Sequence, residues 1–466
     1  MEKRPTAADE VEAADQAMGA ATLGMSGDQG AGIGAAAAEL AQEGLGAVGR
    51  YRWVICGLLF FATTVNYVDR NVLAVLSPML QVKIGWTNTQ YGDINAAFTM
   101  AYAVGLLFAG GLIDRFGTRF GYPVFMALWG MASISHAFVS TVTGFRRARM
   151  ALGLFESGNF PAAIKTTAEW FPRKERSLAI GLFNSGSNVG AILAPLLVPV
   201  ITIHFGWQAA FCITGVLELI WICFWLAIYK KPEEHPRVSK AELNYIMSDP
   251  ADPPAKIPWL RLFPYPQTWA FSVAKFLTDP VWWFWLFWVA PYLAKKFGMD
   301  IKHIGLPLIV IYCMASVGSI GGGWIASGLA RMGWSTNMCR KLALLICAVL
   351  VLPVTVATKA PGEWSAVLLI GLAAAAHQGF SANLFALSGD LFPRKAVGSV
   401  VGIGGMLGAV GGMLFQWAAG RVVDHWSYVP LFIYAGTAYV LAIGMIQLLS
   451  PRLEQARLDG DGVAVA

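Results

Sequence analysis

Apolar runs long enough to cross a membrane recur along almost the whole chain. A helix needs about 20 mainly apolar residues to span a hydrocarbon core of about 30 Å. Charged residues make up 13% of the 466 residues, whereas a soluble domain carries about a quarter. The sequence therefore predicts an all-α membrane protein. Twelve spans are expected, at residues 52–80, 91–112, 120–142, 144–170, 177–203, 208–229, 267–296, 303–329, 339–358, 363–391, 396–422 and 428–449.

A polar segment rich in charge and proline separates the first six spans from the last six, as a connector would. We predict an N-terminal six-helix bundle at 50–230, a cytoplasmic linker at 231–266 and a C-terminal six-helix bundle at 267–450. Residues 1–49 are acidic, rich in Ala and Gly, and lack the basic-then-apolar order of a signal peptide. They are expected to be a disordered cytoplasmic tail, and residues 451–466 a second cytoplasmic tail.

Lys and Arg residues concentrate in the loops on one side of the predicted spans. Because basic loops stay in the cytoplasm, this side and both termini are expected to be cytoplasmic. The bias is not complete, since Arg146, Arg147, Lys295 and Lys296 fall on the other side. The basic residues on the cytoplasmic side are Arg50, Arg52, Arg115, Arg119, Arg173, Lys174, Arg176, Lys230, Lys231, Arg340, Lys341, Arg394 and Lys395.

The two halves of the chain share a repeat. "WFPRKERSLAIGLFNSGSNVG" (170–190) aligns with "LFPRKAVGSVVGIGGMLGAVG" (391–411) through FPRK and through two glycines in register. A repeat on parallel halves is typical of a transporter built from two bundles around a central cavity. The two six-helix bundles are therefore expected to be pseudo-symmetric.

A loop motif connects the chain to a known family. "GGLIDRFGTR" (110–119) resembles the signature between the second and third helices of the major facilitator superfamily, with Asp114, Arg115 and Arg119 at its charged positions. The resemblance implies the major facilitator fold. An acid at a helix end facing arginines can hold the cytoplasmic side closed, so these three residues are predicted to form a cytoplasmic gate. A tight turn with a positive-inside cluster is the alternative.

Within the superfamily, the chain resembles the anion:cation symporters, and most closely the bacterial hexuronate transporters. The stretches that carry this resemblance are "NYVDRN" (66–71), residues 148–197, "KFLTDPVW" (275–282) and "AHQGFSANLFALSGDLFP" (376–393). The resemblance implies a sugar-acid transporter in the bacterial inner membrane, monomeric by analogy.

Four charged side chains lie inside predicted spans. Asp69 and Arg70 interrupt the first, and Arg149 and Glu156 lie seven residues apart on one face of the fourth. A charge at mid-bilayer costs about 2.5–3.5 kcal/mol, so such residues usually face a cavity and have a function. We expect the arginines to bind a substrate carboxylate, and the acids Asp69 and Glu156 to exchange the coupling proton. Two ion pairs that only hold the helices together are the alternative.

Polar side chains in several spans are candidates for binding the rest of a ligand. Each also has an ordinary packing alternative, because tyrosines and small polar residues are common in helix contacts. Lys275 and Asp279, four residues apart, are expected to pair. The predicted substrate-binding set is Tyr67, Arg70, Tyr102, Arg149, Asn184, Ser187, His377, Gln378, Ser381 and Asn383.

Together these features predict a secondary active transporter that takes up a sugar-acid anion by proton-coupled symport and alternating access. A hexuronate such as galacturonate or glucuronate is the favoured substrate; a galactonate-type aldonate and uncoupled anion exchange are the alternatives. The 6 cysteines form no CxxC pair, and no nucleophile–base set is visible, so neither an enzyme nor a bound metal or cofactor is expected. The expected partners are the small carboxylate sugar, protons and the lipid bilayer, with no nucleic acid.

Overall fold

A computed structural model describes residues 49–248 and 259–458, and the regular secondary structure in these ranges is helical. The predicted tail at 1–49 therefore lies almost entirely outside the described residues, as do the middle of the predicted linker and the end of the chain.

The first predicted bundle is formed by helices α1 to α6. Helix α2 covers the second and third predicted spans, and it bends at Gly117, whose φ of 72° favours glycine. Helices α3 and α4 together form the fourth span, interrupted at Ser157 and Gly158. The helices are α1 (Tyr51–Ile84), α2 (Asn88–Ser135), α3 (Val142–Glu156), α4 (Asn159–Trp170), α5 (Arg173–Phe205) and α6 (Trp207–Ile228).

A short helix, α7 (Lys240–Ile246), lies in the linker, and six longer helices form the second bundle. A 3-10 segment, Leu352–Lys359, extends α10. The helices of this bundle are α8 (Pro266–Phe297), α9 (Gly305–Arg331), α10 (Thr336–Val351), α11 (Glu363–Leu391), α12 (Arg394–His425) and α13 (Val429–Leu449).

The described residues thus form twelve membrane-length segments, as the sequence predicts. Eight helices are long and apolar enough to cross a membrane by composition alone, and α2 accounts for two of the crossings. The remaining three crossings are α1, α8 and the interrupted pair α3 and α4; α1 and α8 are 34 and 32 residues long and carry charged residues within their spans.

The two bundles repeat the same packing. Helix α1 packs on α5 as α8 packs on α12, and α2 packs on α3 as α9 packs on α11. The repeated glycines explain part of this symmetry, because a glycine lets two helix backbones approach closely. A Cβ added at Gly190 of α5 would meet the backbone of Thr64 in α1, and one at Gly411 of α12 would meet the backbone of Phe276 in α8. This confirms the two pseudo-symmetric six-helix bundles.

We call the end of the molecule where the chain enters α1 the basic end, and the end where α1 stops and α2 begins the far end. At the basic end, Arg52 of α1 pairs with Glu175 of α5 at 2.8 Å and with Glu242 of α7 at 3.2 Å. The guanidinium of Arg52 therefore links α1, α5 and α7, and it holds the linker helix against the first bundle.

At the far end, polar contacts join the two bundles. The carboxylate of Asp424, on α12, accepts hydrogen bonds from the backbone N and Nδ2 of Asn88 and from the backbone N of Thr89, at the start of α2. One turn away, Arg421 pairs with Asp93 at 2.9 Å. An acid at a helix N-terminus also interacts favourably with the helix dipole. These bonds hold the bundles together at the far end.

Candidate functional site

A buried ion pair occupies the middle of the first bundle. Nε of Arg70, on α1, lies 2.6 Å from Oε1 of Glu156, the last residue of α3. The two side chains are 3% and 0% exposed. Removing either partner would leave the other as an unpaired buried charge, which proteins rarely tolerate. The pair is therefore a sensitive point of the structure, whatever its function.

Aromatic rings surround the guanidinium of Arg70. Its Cζ lies 4.8 Å from the ring centres of both Tyr67 and Tyr102, 5.4 Å from that of Trp283 and 5.9 Å from that of Phe98. A cation over an aromatic face is stabilised by the ring quadrupole. Trp283 belongs to α8 of the second bundle, so this site spans the interface between the two bundles.

Two polar atoms of the ion pair have no hydrogen-bond partner. These are Nη2 of Arg70 and Oε2 of Glu156, and both are buried. A buried polar group without a partner costs about 1–3 kcal/mol. The guanidinium therefore retains a donor, and the carboxylate an acceptor, that a small polar ligand between the bundles would satisfy. Chemically, the site is suited to an anion that also carries hydroxyl groups.

Arg149 lies behind Arg70, on the α3 side of α1. Its Nη2 donates to the backbone oxygen of Arg70 at 2.8 Å, and its Nη1 to that of Asp69 at 3.5 Å. Its Cζ is 4.8 Å from the ring centre of Phe98, and the residue is 0% exposed. In this geometry Arg149 holds the backbone of α1 at the point where Arg70 projects; its predicted contact with substrate stays a prediction.

Asp69 points away from its sequence neighbour Arg70. Its carboxylate accepts hydrogen bonds from Nε1 of Trp129 at 3.0 Å and from Oγ of Ser133 at 2.9 Å, both on α2. Trp129 also donates to Oε1 of Glu218, on α6. Asp69 therefore belongs to a second polar cluster.

Glu218 was missed by the sequence analysis. It is a lone acid in the apolar stretch "GVLELIW" (215–221), and it is 0% exposed in the structure. An ionisable residue inside a membrane span is a candidate functional residue in its own right, so the signal was available.

Two of the predicted polar residues on α11 have different surroundings: His377 lies near the interface between the bundles, and Asn383 lies in a contact between two helices of the second bundle. The ring of His377 stacks on Trp282, with centres 5.2 Å apart, and its Nδ1 shares a 2.6 Å hydrogen bond with the hydroxyl of Tyr439. Trp282 also interacts with the side chain of Tyr67, which lies three residues before Arg70 on α1. In contrast, Nδ2 of Asn383 donates to backbone oxygens of α9 and α11, which makes it a link between these two helices.

Four of the predicted substrate-binding side chains form no hydrogen bond with the Arg70–Glu156 ion pair in the described part of the chain. Asn184 is exposed on α5, and Ser187, one turn later, is buried. Gln378 and Ser381 are half-buried on α11. Within the described ranges, none of these four side chains forms a hydrogen bond with Arg70 or Glu156, so their assignment to the substrate stays a prediction.

Two other charged clusters were predicted, one from the spacing of Lys275 and Asp279 and one from the loop motif at residues 110–119. Nζ of Lys275 pairs with Asp279 at 2.8 Å, which confirms the expected pair on α8. At the basic end, Asp114 pairs with Lys165 of α4 at 2.9 Å, a partner that the gate prediction did not include. Arg115 is exposed there, and Arg119 is half-buried. Within residues 49–248 and 259–458, no three His, Cys, Asp or Glu side chains are grouped as metal ligands would be.

Comparison with known proteins agrees with this architecture. Residues 59–415 match the Major Facilitator Superfamily. The chain belongs to this superfamily. Its members are transporters, so the protein is a transporter and not an enzyme.

The transporter is similar to a "Hexuronate transporter" of Escherichia coli (strain K12), with 32% identity over 387 residues, 82% of this chain and 90% of the relative. It is 33% identical over 308 residues to a "Galacturonate transporter" of Dickeya chrysanthemi, covering 65% of this chain and 89% of the relative. Among solved structures, it resembles a bacterial homolog of the human lysosomal transporter Spinster, in an inward-facing and occupied conformation. The TM-score is 0.68 at 15% identity, over 86% of this chain and 97% of that chain, which shows the shared fold.

Proposed function

We propose that the protein takes up a sugar-acid anion together with a proton, by alternating access between its two bundles. The observation that carries the proposal is the buried Arg70–Glu156 pair, which lies within an aromatic enclosure contributed by both bundles. The similarity to transporters of hexuronate and galacturonate supports a sugar acid as substrate. Because the basic loops favour the cytoplasm, we place the basic end and both termini in the cytoplasm of the bacterial inner membrane.

The ion pair suggests how proton and substrate load together. When Glu156 is ionised, it occupies the guanidinium of Arg70, which then has less to offer a second carboxylate. A proton on Glu156 removes the internal anion, so Arg70 can form paired hydrogen bonds with the substrate carboxylate. An empty, ionised site holds its own counter-ion and does not attract a stray anion. Asp69 is the second candidate for exchanging a proton.

The walls of the site favour a ring-shaped substrate. Tyr67, Tyr102 and Trp283 present flat faces around Arg70, and each tyrosine adds one hydroxyl. A hexuronate combines a carboxylate with a sugar ring, and we propose galacturonate or glucuronate. An aldonate such as galactonate has the same carboxylate but an open chain, and it is the second candidate substrate. In both cases His377, Gln378, Ser381, Asn383, Asn184 and Ser187 are proposed to contact hydroxyl groups, and Arg149 to support the carboxylate site.

Uptake into proteoliposomes containing the purified protein tests this function. An acidic exterior is expected to drive galacturonate and glucuronate above the external concentration, by about tenfold per pH unit for one proton and one monoanion. A protonophore should remove the accumulation, and galactose, which lacks the carboxylate, should not enter. Uptake that only equilibrates, with or without the gradient, would instead indicate the uncoupled exchanger.

Alternating access requires the far-end contacts to break. Asp424→Ala removes the carboxylate that joins α12 to the start of α2, and this should favour opening at the far end. Hydrogen bonds to a charged group are worth about 1.5–3 kcal/mol when sheltered and less at a partly exposed site, so we expect the open population to rise by about tenfold. Distances between spin labels on α2 and α12 would report the change.

Asp300→Ala is the matched control for this variant. Asp300 also lies at the far end, but in the described part of the chain its carboxylate bonds to Lys302 and His303 of its own loop and to no residue of the first bundle. The label distances should therefore stay as in the wild type. Equal opening in both variants would show that Asp424 does not hold the bundles together.

A further inference from the structure

The first bundle contains a buried acid pair in addition to the ion pair. Glu218 and Asp69 are 0% and 1% exposed, and the indole N–H of Trp129 donates to a carboxylate oxygen of each. The two acids are also within hydrogen-bonding reach of each other. Carboxylates only accept hydrogen bonds, so a direct bond between two carboxyl groups requires that one of them carry a proton.

The balance of buried charges in the first bundle also indicates one bound proton. Three buried acids, Asp69, Glu156 and Glu218, interact electrostatically with one another. They face two arginines, Arg70 and Arg149, which also interact with each other. With every group ionised, the interior would hold one uncompensated negative charge, which is very costly away from water. One bound proton removes this imbalance.

His136 does not supply the missing positive charge. This buried residue directly follows α2, and its Nδ1 bonds to the backbone oxygens of Ala132 and Ser133 in the last turn of that helix. Its Nε2 is buried without a partner. A protonated imidazole would place a second N–H there with no acceptor, so the neutral ring fits the site better.

The oxygen atoms of the pair indicate which acid holds the proton. Both oxygens of Asp69 have donors, from Ser133 and Trp129, which suits an ionised carboxylate. Oε2 of Glu218 is buried and has no hydrogen-bond partner. If Glu218 were ionised, the negative charge on Oε2 would have no hydrogen-bond donor. If Glu218 is protonated, its O–H can donate to Asp69.

Two glycines leave space for the Glu218 side chain where α2 and α6 cross. Gly130 and Gly215 face each other where these helices cross, and a Cβ on Gly215 would lie 2.7 Å from the backbone oxygen of Gly130. A Cβ on Gly130 would lie 2.8 Å from Oε2 of Glu218. The side chain therefore occupies space that only a glycine leaves open.

We propose that Asp69 and Glu218 share one proton and form a proton-binding site separate from Arg70 and Glu156, with the proton on Glu218 and the charge on Asp69. The proposal extends the proposed function, since it gives a proton-coupled transporter a second buried acid that can be protonated. The acid pair itself would exist even if transport were not coupled to protons.

Infrared absorption spectra of the full chain in liposomes, recorded over a range of pH, test the proposal. A buried protonated carboxyl group should give a C=O stretching band that persists at neutral pH, where exposed carboxyl groups are ionised. Glu218→Gln should remove one such band. Glu156→Gln should retain it, and so should the control Glu454→Gln, since Glu454 is exposed beyond the last helix.

Asp69→Asn provides the second variant. It keeps the size of the side chain but removes both the charged acceptor of the proposed O–H and one negative charge, so the band of Glu218 should move in frequency or disappear as Glu218 ionises. Absence of the band in the wild type, an unchanged band in Glu218→Gln or an unshifted band in Asp69→Asn would each overturn the proposal. Failure of pH-driven uptake with the band intact would overturn the proposed function alone.

Discussion

Glu156→Gln should abolish accumulation of the sugar acid against its gradient and spare exchange of labelled for unlabelled substrate. Glutamine has nearly the shape of glutamate but cannot ionise, so it imitates the protonated acid permanently. In the wild type, Nε of Arg70 lies 2.6 Å from Oε1 of Glu156. In the variant, Arg70 would be free of this ionised partner. Substrate can bind and cross, but no proton is released with it.

The measurement compares two assays on the same proteoliposomes. With an imposed pH gradient, the wild type should accumulate substrate by about tenfold per pH unit, whereas the variant should only reach the external concentration. In counterflow, where substrate is present on both sides, both proteins should exchange label. Glu454→Gln makes the same chemical change at an exposed position and should behave as the wild type. If Glu156→Gln still accumulates substrate from a pH difference, Glu156 is not the coupling acid.

Arg70→Lys should lower substrate affinity by about ten- to a hundredfold while keeping the buried charge balanced. Lysine can still pair with Glu156, but it lacks the planar fork that forms two parallel hydrogen bonds with a carboxylate. Hydrogen bonds to charged groups are worth about 1.5–3 kcal/mol, which gives the expected loss. Substitution by alanine is less informative, because Glu156 would be left as an unpaired buried charge.

Binding to the purified protein, measured by calorimetry, would report this affinity. Arg147→Lys is the matched control, since Arg147 is exposed at the far end of α3. Unchanged affinity in Arg70→Lys would exclude paired hydrogen bonding from Arg70 to the substrate.

The variant Arg149→Ala distinguishes the role of Arg149 from that of Arg70. Because Arg149 holds backbone oxygens of α1, this variant should lower the melting temperature as well as the affinity, whereas Arg70→Lys should affect chiefly the affinity. An Arg149→Ala variant with unchanged affinity would remove this residue from the anion site.

The membrane helices were largely predictable. The predicted span at 363–391 coincides with Glu363–Leu391, and that at 428–449 with Val429–Leu449. Elsewhere helices extend past the apolar runs: α1 continues to Ile84, and α2 runs through the predicted loop at 113–119. Hydropathy marks the part of a helix that suits lipid, whereas backbone hydrogen bonding continues until a residue ends it.

The sequence identified four charged residues that are buried in the first bundle, but it did not identify which of them pair. Asp69 and Arg70 are neighbours in the sequence, yet successive helix residues point about 100° apart. Arg70 therefore meets Glu156 on α3, while Asp69 meets Trp129 on α2. Glu218 completes that second cluster, and the sequence gives no sign that it lies beside Asp69.

By itself, the sequence determined that this protein is an all-helical membrane transporter of two related bundles with ionisable groups in its interior. Composition, run length and the internal repeat are local or periodic properties, and they can be read without knowing which helices touch. Only the tertiary structure decided which acid pairs with which base, and that Arg70 is enclosed by rings from both bundles. Those contacts depend on where helices far apart in the chain cross, and on the glycines that set how closely they approach.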